Sequence, residues 1–297
     1  MTTPSLRRPA FTAVAAAVAL TVLLTAACGG KKLDKISKDR DAGLTPAQLY
    51  EKGVGYSRKG RYYHARQILE KILSRAGVGP ETLANTNLAI ADAYYYDGGV
   101  INVAEALSRY TSFLTFYPSH ARADYVQYQL GLCYLKQALG PDKDQVTTRQ
   151  ALDAFRRVES GFPTSEFVTA AREKADLCLQ RLCESQMRIG LFYMKRKAWD
   201  GAIGRFRSVL TECPRYSRRD ETTFRIAQSL RASLKDAEAQ LYFQKIVDEF
   251  PKSRYASQAR QALESTEIPP GRTAEAPREK KSSTRKDSES ADRQGGR

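Results

Sequence analysis

Apolar residues recur at helical spacing along most of this chain, in a pattern that returns four times. In each copy an alanine is followed by an aromatic residue four positions later, an apolar residue three further on, and a proline five beyond that. The copies are Ala106-Tyr110-Phe113-Pro118, Ala151-Phe155-Val158-Pro163, Ala202-Phe206-Val209-Pro214 and Ala239-Phe243-Ile246-Pro251. Steps of four and three lie on one helix face, and proline cannot continue a helix. The sequence therefore predicts four amphipathic helices of the same design.

A second pattern, upstream of the first, predicts that these helices are the second members of helical pairs. Glycine and tyrosine stand twelve and nine residues before the alanine in two copies, as Gly53 with Tyr56 and Gly190 with Tyr193. A degenerate first copy without the proline is Ala65-Leu69-Ile72. This layout is typical of the tetratricopeptide repeat. The predicted fold is all-α, a tetratricopeptide-repeat superhelix of five helix-turn-helix repeats with a C-terminal capping helix.

Shifts in composition divide the chain into segments. The five-repeat domain is predicted over residues 44–264, beginning with Thr45 as a helix N-cap before proline. A polar insertion at residues 140–145 interrupts the third repeat and is expected to project from the array, with the second helix resuming at Thr148. Residues 265–297 have almost no large apolar side chains, so a disordered, mildly basic tail is expected.

The N-terminus has the pattern of a bacterial lipoprotein signal. Two arginines precede an apolar run at residues 11–24, which is too short for a comfortable membrane span. The run ends in small residues before Cys28, which resembles a lipobox, although Thr25 stands where leucine is usual. We predict a signal peptide at 1–27, acylation of Cys28, and a lipidated tether at 28–43. The alternative is a secreted protein in which Cys28 is incidental.

Charge and composition exclude several classes of function. The net charge is +15, but lysine and arginine are spread among acidic residues along the helices. No basic block interleaved with aromatic residues is present, so nucleic-acid binding is not expected. His64 and His120 are far apart, and the chain has no phosphate-binding loop or nucleophile motif. The sequence therefore predicts a protein that is not an enzyme and carries no cofactor.

Four further cysteines lie within the repeats and form no CxxC pair, so a metal site is not expected either. They are Cys133, Cys178, Cys183 and Cys213. We expect them to be small buried residues, although an oxidising compartment would also allow a long-range disulfide.

Three stretches of the chain resemble the BamD family of outer-membrane assembly lipoproteins. They are residues 120–131, 144–167 and 181–205, and the resemblance in order and spacing runs from about residue 44 to 263. It implies a protein anchored by lipid in the outer membrane and facing the periplasm. It also implies three kinds of partner: a BamA-like barrel protein, other assembly lipoproteins and unfolded outer-membrane protein segments. The alternative is another envelope lipoprotein with these repeats, such as a pilus-assembly pilotin or a cell-division coordinator.

The resemblance and the residues together nominate two sites. The family places an arginine at the contact with the barrel protein, which corresponds to Arg205, and the expected partner-binding residues are Arg205, Trp199 and Tyr193. The alternative is that Arg205 is a solvated helix residue. Three consecutive tyrosines cannot share one helix face, so at least one should point into the groove. The expected client groove contains Tyr94, Tyr95, Tyr96 and Tyr56. The alternative is that the three consecutive tyrosines all pack between helices and none contacts a client.

Overall fold

A computed structural model describes residues 41–265, which contain eleven helices between positions 46 and 264 and no β-strand. The helices are α1 (Pro46–Arg58), α2 (Tyr62–Leu73), α3 (Pro80–Asp97), α4 (Val100–Phe116), α5 (Ala123–Gln137), α6 (Val146–Gly161), α7 (Val168–Lys195), α8 (Trp199–Glu212), α9 (Arg219–Ala232), α10 (Asp236–Glu249) and α11 (Ala256–Glu264). The predicted signal peptide, the predicted lipidation site Cys28, most of the predicted tether and nearly all of the predicted tail lie outside the described residues.

The helices form two compact units that divide after Arg219. In the first unit each helix from α1 to α8 packs on the next, which gives four helical hairpins in succession. In the second unit Phe224 of α9 lies edge-on to Phe243 of α10 and stacks on Tyr255 just before α11, with ring centroids 6.0 and 4.8 Å apart. The all-α class and the tetratricopeptide repeats are confirmed.

The repeated residues form the core of every hairpin. The alanine, the following aromatic residue or leucine, and the third apolar residue are at most 3% exposed in all five copies. The glycine of the first helix lies directly against the large residue of the second. A Cβ added to Gly53, Gly131 or Gly190 would lie 2.6, 2.6 or 2.3 Å from Leu69, Phe155 or Phe206 respectively. The repeated glycine is therefore a requirement of close helix packing.

The first helix is fixed at its start by a cap and by an ionic cluster. Thr45 and Gln48 form a reciprocal capping box before α1. Asp41 is 3% exposed and accepts hydrogen bonds from the ammonium groups of Lys52 and Lys71. Arg75 donates to the backbone carbonyl of Asp41. The segment before α1 is thus held against α1 and the end of α2.

Two of the four repeat cysteines are joined, which corrects the expectation that all four are unbonded. Cys183 in α7 and Cys213 after α8 form a disulfide across a sequence separation of 30, with Cα atoms 6.5 Å apart. The helical hairpin brings them together, and spacing along a single helix does not reveal such a pair. Cys133 and Cys178 are free and buried. Burial raises the pKa of these two thiols to about 12 and about 11, respectively.

The insertion in the third repeat is exposed at its tip but is organised by a buried side chain. The amide Nε2 of Gln145 donates to the carbonyls of Gly140 and Lys143 at 2.7 and 2.9 Å. Its Oε1 accepts from Thr148 at 3.0 Å. These bonds lie within the insertion, whose residues 142–144 are exposed, and α6 begins at Val146 rather than at the predicted Thr148.

Candidate functional site

A crevice of about 420 Å³ opens between the first two hairpins, next to the start of the third. Aromatic, small and cationic side chains line it: Tyr50, Val54, Ser57 and Arg58 from α1, Tyr62 from α2, Ala89, Asp92, Ala93 and Tyr96 from α3, and Arg122 just before α5. The alanines leave room for a guest between the helices, and three tyrosines supply aromatic surface. The crevice is therefore a candidate site for an apolar or aromatic side chain.

Tyr96 forms part of the crevice wall and is half-exposed. Its ring stacks on Tyr62 with centroids 6.3 Å apart and meets Tyr95 edge-on at 5.2 Å. These contacts orient the ring while leaving 52% of the residue accessible. A rigid aromatic group of this kind gives contact area at a low cost in conformational entropy.

Asp92 lines the crevice and is held by one tyrosine of its own hairpin and by one of the next hairpin. Tyr110 and Tyr125 donate their hydroxyl protons to Oδ1 of Asp92 at 2.6 and 3.0 Å. Burial raises the pKa of Asp92, and the two hydrogen bonds oppose that shift. Arg122 lies over the Tyr125 ring at 4.5 Å, and Arg58 also lines the crevice. The rim thus offers two guanidinium groups to an acidic guest.

The other two residues of the tyrosine triplet face the neighbouring helices. Tyr94 is half-buried between Arg66 and Arg109, whose guanidinium carbons lie 4.3 and 5.1 Å from its centroid. Tyr95 is buried, with the Lys136 ammonium 3.7 Å from its ring centroid. Burial raises the pKa of Tyr95 to about 12. Of the triplet, only Tyr96 lines the crevice.

Tyr56 likewise lies outside the crevice lining. It is half-buried and stacks on His64, with ring centroids 5.8 Å apart. Two tyrosines outside the predicted groove, Tyr50 and Tyr62, do line the crevice. The position of Tyr62 at the first residue of α2, just past the Gly60 turn, was the available signal.

The expected docking residues lie on the hairpin of α7 and α8. Arg205 is exposed, and its Nη1 donates to Oε1 of Gln186 at 3.1 Å. The ring of Tyr193 lies over Gly201, where an added Cβ would be 3.2 Å from the ring. Gly201 and Arg205 are four residues apart and share one face of α8. Tyr193 and Arg205 therefore belong to one strip of surface.

Trp199, the third expected docking residue, is the half-buried first residue of α8. Tyr193 also borders a second crevice. This crevice has a volume of about 490 Å³ and lies between the insertion and α7. Its lining is Pro141, Asp142, Lys143, Ser185, Arg188, Ile189, Phe192 and Tyr193. The insertion and the expected docking strip are thus neighbours in space.

Glu184 braces the end of this hairpin next to the disulfide. It accepts a hydrogen bond from Tyr216 at 2.5 Å and pairs with Arg218 at 2.8 Å. Burial alone would raise the pKa of Glu184, but Tyr216 and the arginines hold it below its usual value. The segment after α8 is therefore fixed to α7 by ionic and covalent contacts.

Within residues 41–265 no group of three or more histidine, cysteine or acidic side chains is placed to hold a metal ion. In the same residues no helix is both long and apolar enough to cross a bilayer.

Consecutive helical hairpins with glycine-to-aromatic packing and a side-chain-lined crevice define a tetratricopeptide-repeat protein, a class that binds its partners through surfaces. The chain belongs to the YfiO family, described as outer membrane lipoprotein, whose model matches residues 43–240.

Relatives of this family align with most of the chain. A Caulobacter vibrioides protein named outer membrane protein assembly factor BamD is 31% identical over 224 residues, which cover 75% of this chain and 70% of that protein. The Rickettsia prowazekii protein of the same name is 27% identical over 231 residues, which cover 78% and 90%.

Among solved structures, the TPR2AB-domain:pHSP90-complex of yeast Sti1 matches with a TM-score of 0.41 and 13% sequence identity, covering 74% of this chain and 84% of that chain. Similarity at this level says nothing about what the chain binds.

Proposed function

We propose that this chain is a non-enzymatic lipoprotein scaffold that helps to insert β-barrel proteins into the outer membrane. The observation that carries the proposal is the family match over residues 43–240, which spans both the crevice of the first hairpins and the α7–α8 hairpin. The relatives are named for outer membrane protein assembly. The two surfaces suit a protein that holds two partners at a fixed distance.

The docking partner in this proposal is a BamA-like barrel protein with periplasmic domains, held by the α7–α8 hairpin. Arg205 is exposed, and a guanidinium has five N–H donors, so its bond to Gln186 orients the group without saturating it. Tyr193 and Trp199 would add aromatic surface beside it. Arginine with aromatic neighbours is the composition of an interface centre.

The second partner is an unfolded outer-membrane protein segment in the crevice of the first hairpins. Tyr96 and Tyr62 would hold an apolar or aromatic side chain, and Arg58 and Arg122 would hold a nearby carboxylate. Such a segment fits a site of this size because one or two side chains fill it. Lipid on Cys28 would keep the scaffold at the periplasmic face of the outer membrane, with other assembly lipoproteins as further partners.

The docking step can be tested by capture from membranes. The tagged, lipidated protein is isolated from solubilised outer membranes as wild type, Arg205→Glu and Arg157→Glu, the last being an exposed arginine of α6 that serves as the matched control. A barrel protein with periplasmic domains should be captured by the wild type and by the control. The Arg205→Glu variant should release it because the new charge repels the acidic group that an arginine contact requires.

The outcomes separate the parts of the proposal. Absence of any barrel protein from the wild-type sample would refute the scaffold function. Capture that is equal in all three samples would retain the scaffold and remove Arg205 from the interface. Loss in both variants would indicate a general effect of charge reversal rather than a specific contact.

A further inference from the structure

Exposed apolar side chains in the first unit are concentrated at one edge. Each hairpin has a turn that joins its two helices, and these turns lie in a row. We define the turn edge as these turns, residues 59–61, 98–99, 138–145 and 196–198, together with the adjacent helix ends. Of nine large hydrophobic residues exposed in residues 41–219, seven lie on it. They are Tyr63, Tyr96, Val100, Ile101, Leu139, Val146 and Phe192. The other two are Phe116 and Leu177, so the asymmetry is not a general property of the surface.

Contacts between successive hairpins show that the turn edge is continuous within this unit. Tyr62 beside the first turn stacks on Tyr96 beside the second, with centroids 6.3 Å apart. Lys136 beside the third turn donates to the carbonyl of Tyr95 at 3.3 Å. The insertion at 141–143 shares a crevice with Phe192 beside the fourth turn. The exposed apolar residues therefore follow one another along the same side.

The most exposed of them, Val100 and Ile101, follow two glycines and are each 84% exposed. Adjacent branched aliphatic side chains at this exposure have no packing role in the hairpin. Their position at a helix tip would let them enter an apolar medium without moving the helices.

The net charge of the turn edge is positive, with the cations at the first and fourth turns and Asp97, Asp142 and Asp144 at the second and third. Arg58, Lys59 and Arg61 surround the first turn with no acidic residue among them. Residues 195–197 are Lys195, Arg196 and Lys197, all three exposed, and Arg196 lies over the exposed ring of Phe192 at 5.5 Å. Exposed cations beside exposed apolar side chains are the composition of a surface that binds anionic lipid.

We propose that the turn edge lies against the anionic phospholipid surface of the membrane, with Val100 and Ile101 inserted and the arginines and lysines at the headgroups. The inference rests on the proposed lipid anchor at Cys28. The 13 residues from Cys28 to Asp41 can span about 45 Å when extended, against about 20 Å for the 13-residue helix α1. Asp41 lies beside the end of α2, opposite the first turn, and a chain of this length is sufficient to extend past the first hairpin to the turn edge.

The test is flotation with vesicles by the chain from residue 28, carrying Cys28→Ser so that no acyl chain contributes. Vesicles of phosphatidylethanolamine with phosphatidylglycerol are compared with phosphatidylcholine alone. The protein should float with the anionic vesicles and less in high salt. V100S/I101S and K195Q/K197Q should each lower the partition coefficient at least about tenfold. Phe116→Ser and Leu177→Ser, which remove exposed apolar residues away from the turn edge, should leave it unchanged.

Absence of wild-type flotation with anionic vesicles would overturn the inference, as would equal losses in the edge and control variants. Capture of the barrel protein is measured with the same substitutions introduced into the tagged, lipidated protein. Retained capture with reduced vesicle binding would support the inference independently of the scaffold function. Reduced capture with unchanged vesicle binding would overturn it and assign this edge to a protein partner.

Discussion

The backbone of Gly190 in α7 lies against the ring of Phe206 in α8, so closely that an added Cβ would be 2.3 Å from Cε1 of the ring. Phe206 is fully buried, and Gly190 is buried with it. Gly131 with Phe155 repeats the relationship one hairpin earlier. The distance between the two helices of a hairpin is therefore set by a missing side chain, and the proposed docking surface of Tyr193 and Arg205 depends on that distance.

Gly190→Ala should destabilise the protein by about 1–3 kcal/mol, because the methyl group forces the buried Phe206 ring or the helices apart. Gly204→Ala is the matched control in α8, since nothing lies within 4 Å of its added Cβ. That change should stabilise the helix by about 0.5–1 kcal/mol. Urea denaturation of the two variants measures both values. Equal effects of the same sign would contradict the assignment of Gly190 to helix packing.

The repeated pattern predicted this core because it is local: alanine and the aromatic residue lie one turn apart on one helix, and proline marks the helix end. The glycine could also be located, because its distance from the alanine recurs in Gly53 and Gly190. The disulfide could not be predicted, since Cys183 and Cys213 meet only when α7 and α8 have folded back on each other.

Removal of the disulfide should lower the stability of the α7–α8 hairpin. Closing a loop over a separation of 30 residues gives about 3–4 kcal/mol in the chain-entropy model. Reduction with dithiothreitol should therefore shift the urea midpoint of the wild type downward. The C183S/C213S variant should have that lower urea midpoint without reductant, and dithiothreitol should not change it. A wild-type midpoint that is unchanged by complete reduction, verified by thiol titration, would contradict the prediction.

Asp41 should make stability depend on acid pH. Burial opposes its ionisation, but the ammonium groups of Lys52 and Lys71 outweigh burial and hold the pKa of Asp41 below its usual value. A lowered pKa in the folded state stabilises the protein above the ordinary carboxyl pKa, and this contribution disappears as the pH falls through the folded value. Asp41→Asn should cost about 1–2 kcal/mol near neutral pH, and its difference from the wild type should vanish in acid.

The measurement is urea denaturation at a series of pH values from neutral to strongly acidic. Asp153→Asn, which changes an exposed carboxylate of α6, is the control and should differ little from the wild type throughout. A difference between Asp41→Asn and the wild type that persists at the lowest pH would assign the effect to packing rather than to the ionic cluster.

The candidate crevice could be predicted only in part. Three consecutive tyrosines cannot share a helix face, which predicted that at least one would face a groove without indicating which one; in the structure Tyr96 lines the crevice. The partners of Tyr96 come from other helices. Tyr62, Tyr50 and Arg122 are brought to it by the stacking of hairpins, and no regular spacing connects them in the sequence.

The proposed client site makes a prediction that distinguishes a binding crevice from an aromatic packing cluster. Tyr96→Ala should weaken binding of a fluorescent peptide that carries an aromatic residue next to a carboxylate by about tenfold, because it removes half of a stacked pair. Tyr63→Ala removes a tyrosine of 60% exposure that does not line the crevice, and it should leave the affinity unchanged. Fluorescence anisotropy gives both dissociation constants.

Salt and a second variant test whether the cations take part. Arg122→Gln should weaken binding of the acidic peptide, because its carboxylate pairs with the guanidinium. Binding of the same peptide with the carboxylate amidated should not change. The affinity of the acidic peptide should fall with ionic strength, and that of the amidated peptide should not. If Tyr96→Ala and Tyr63→Ala bind alike, or if amidation has no effect on the wild type, the crevice does not hold an acidic aromatic segment.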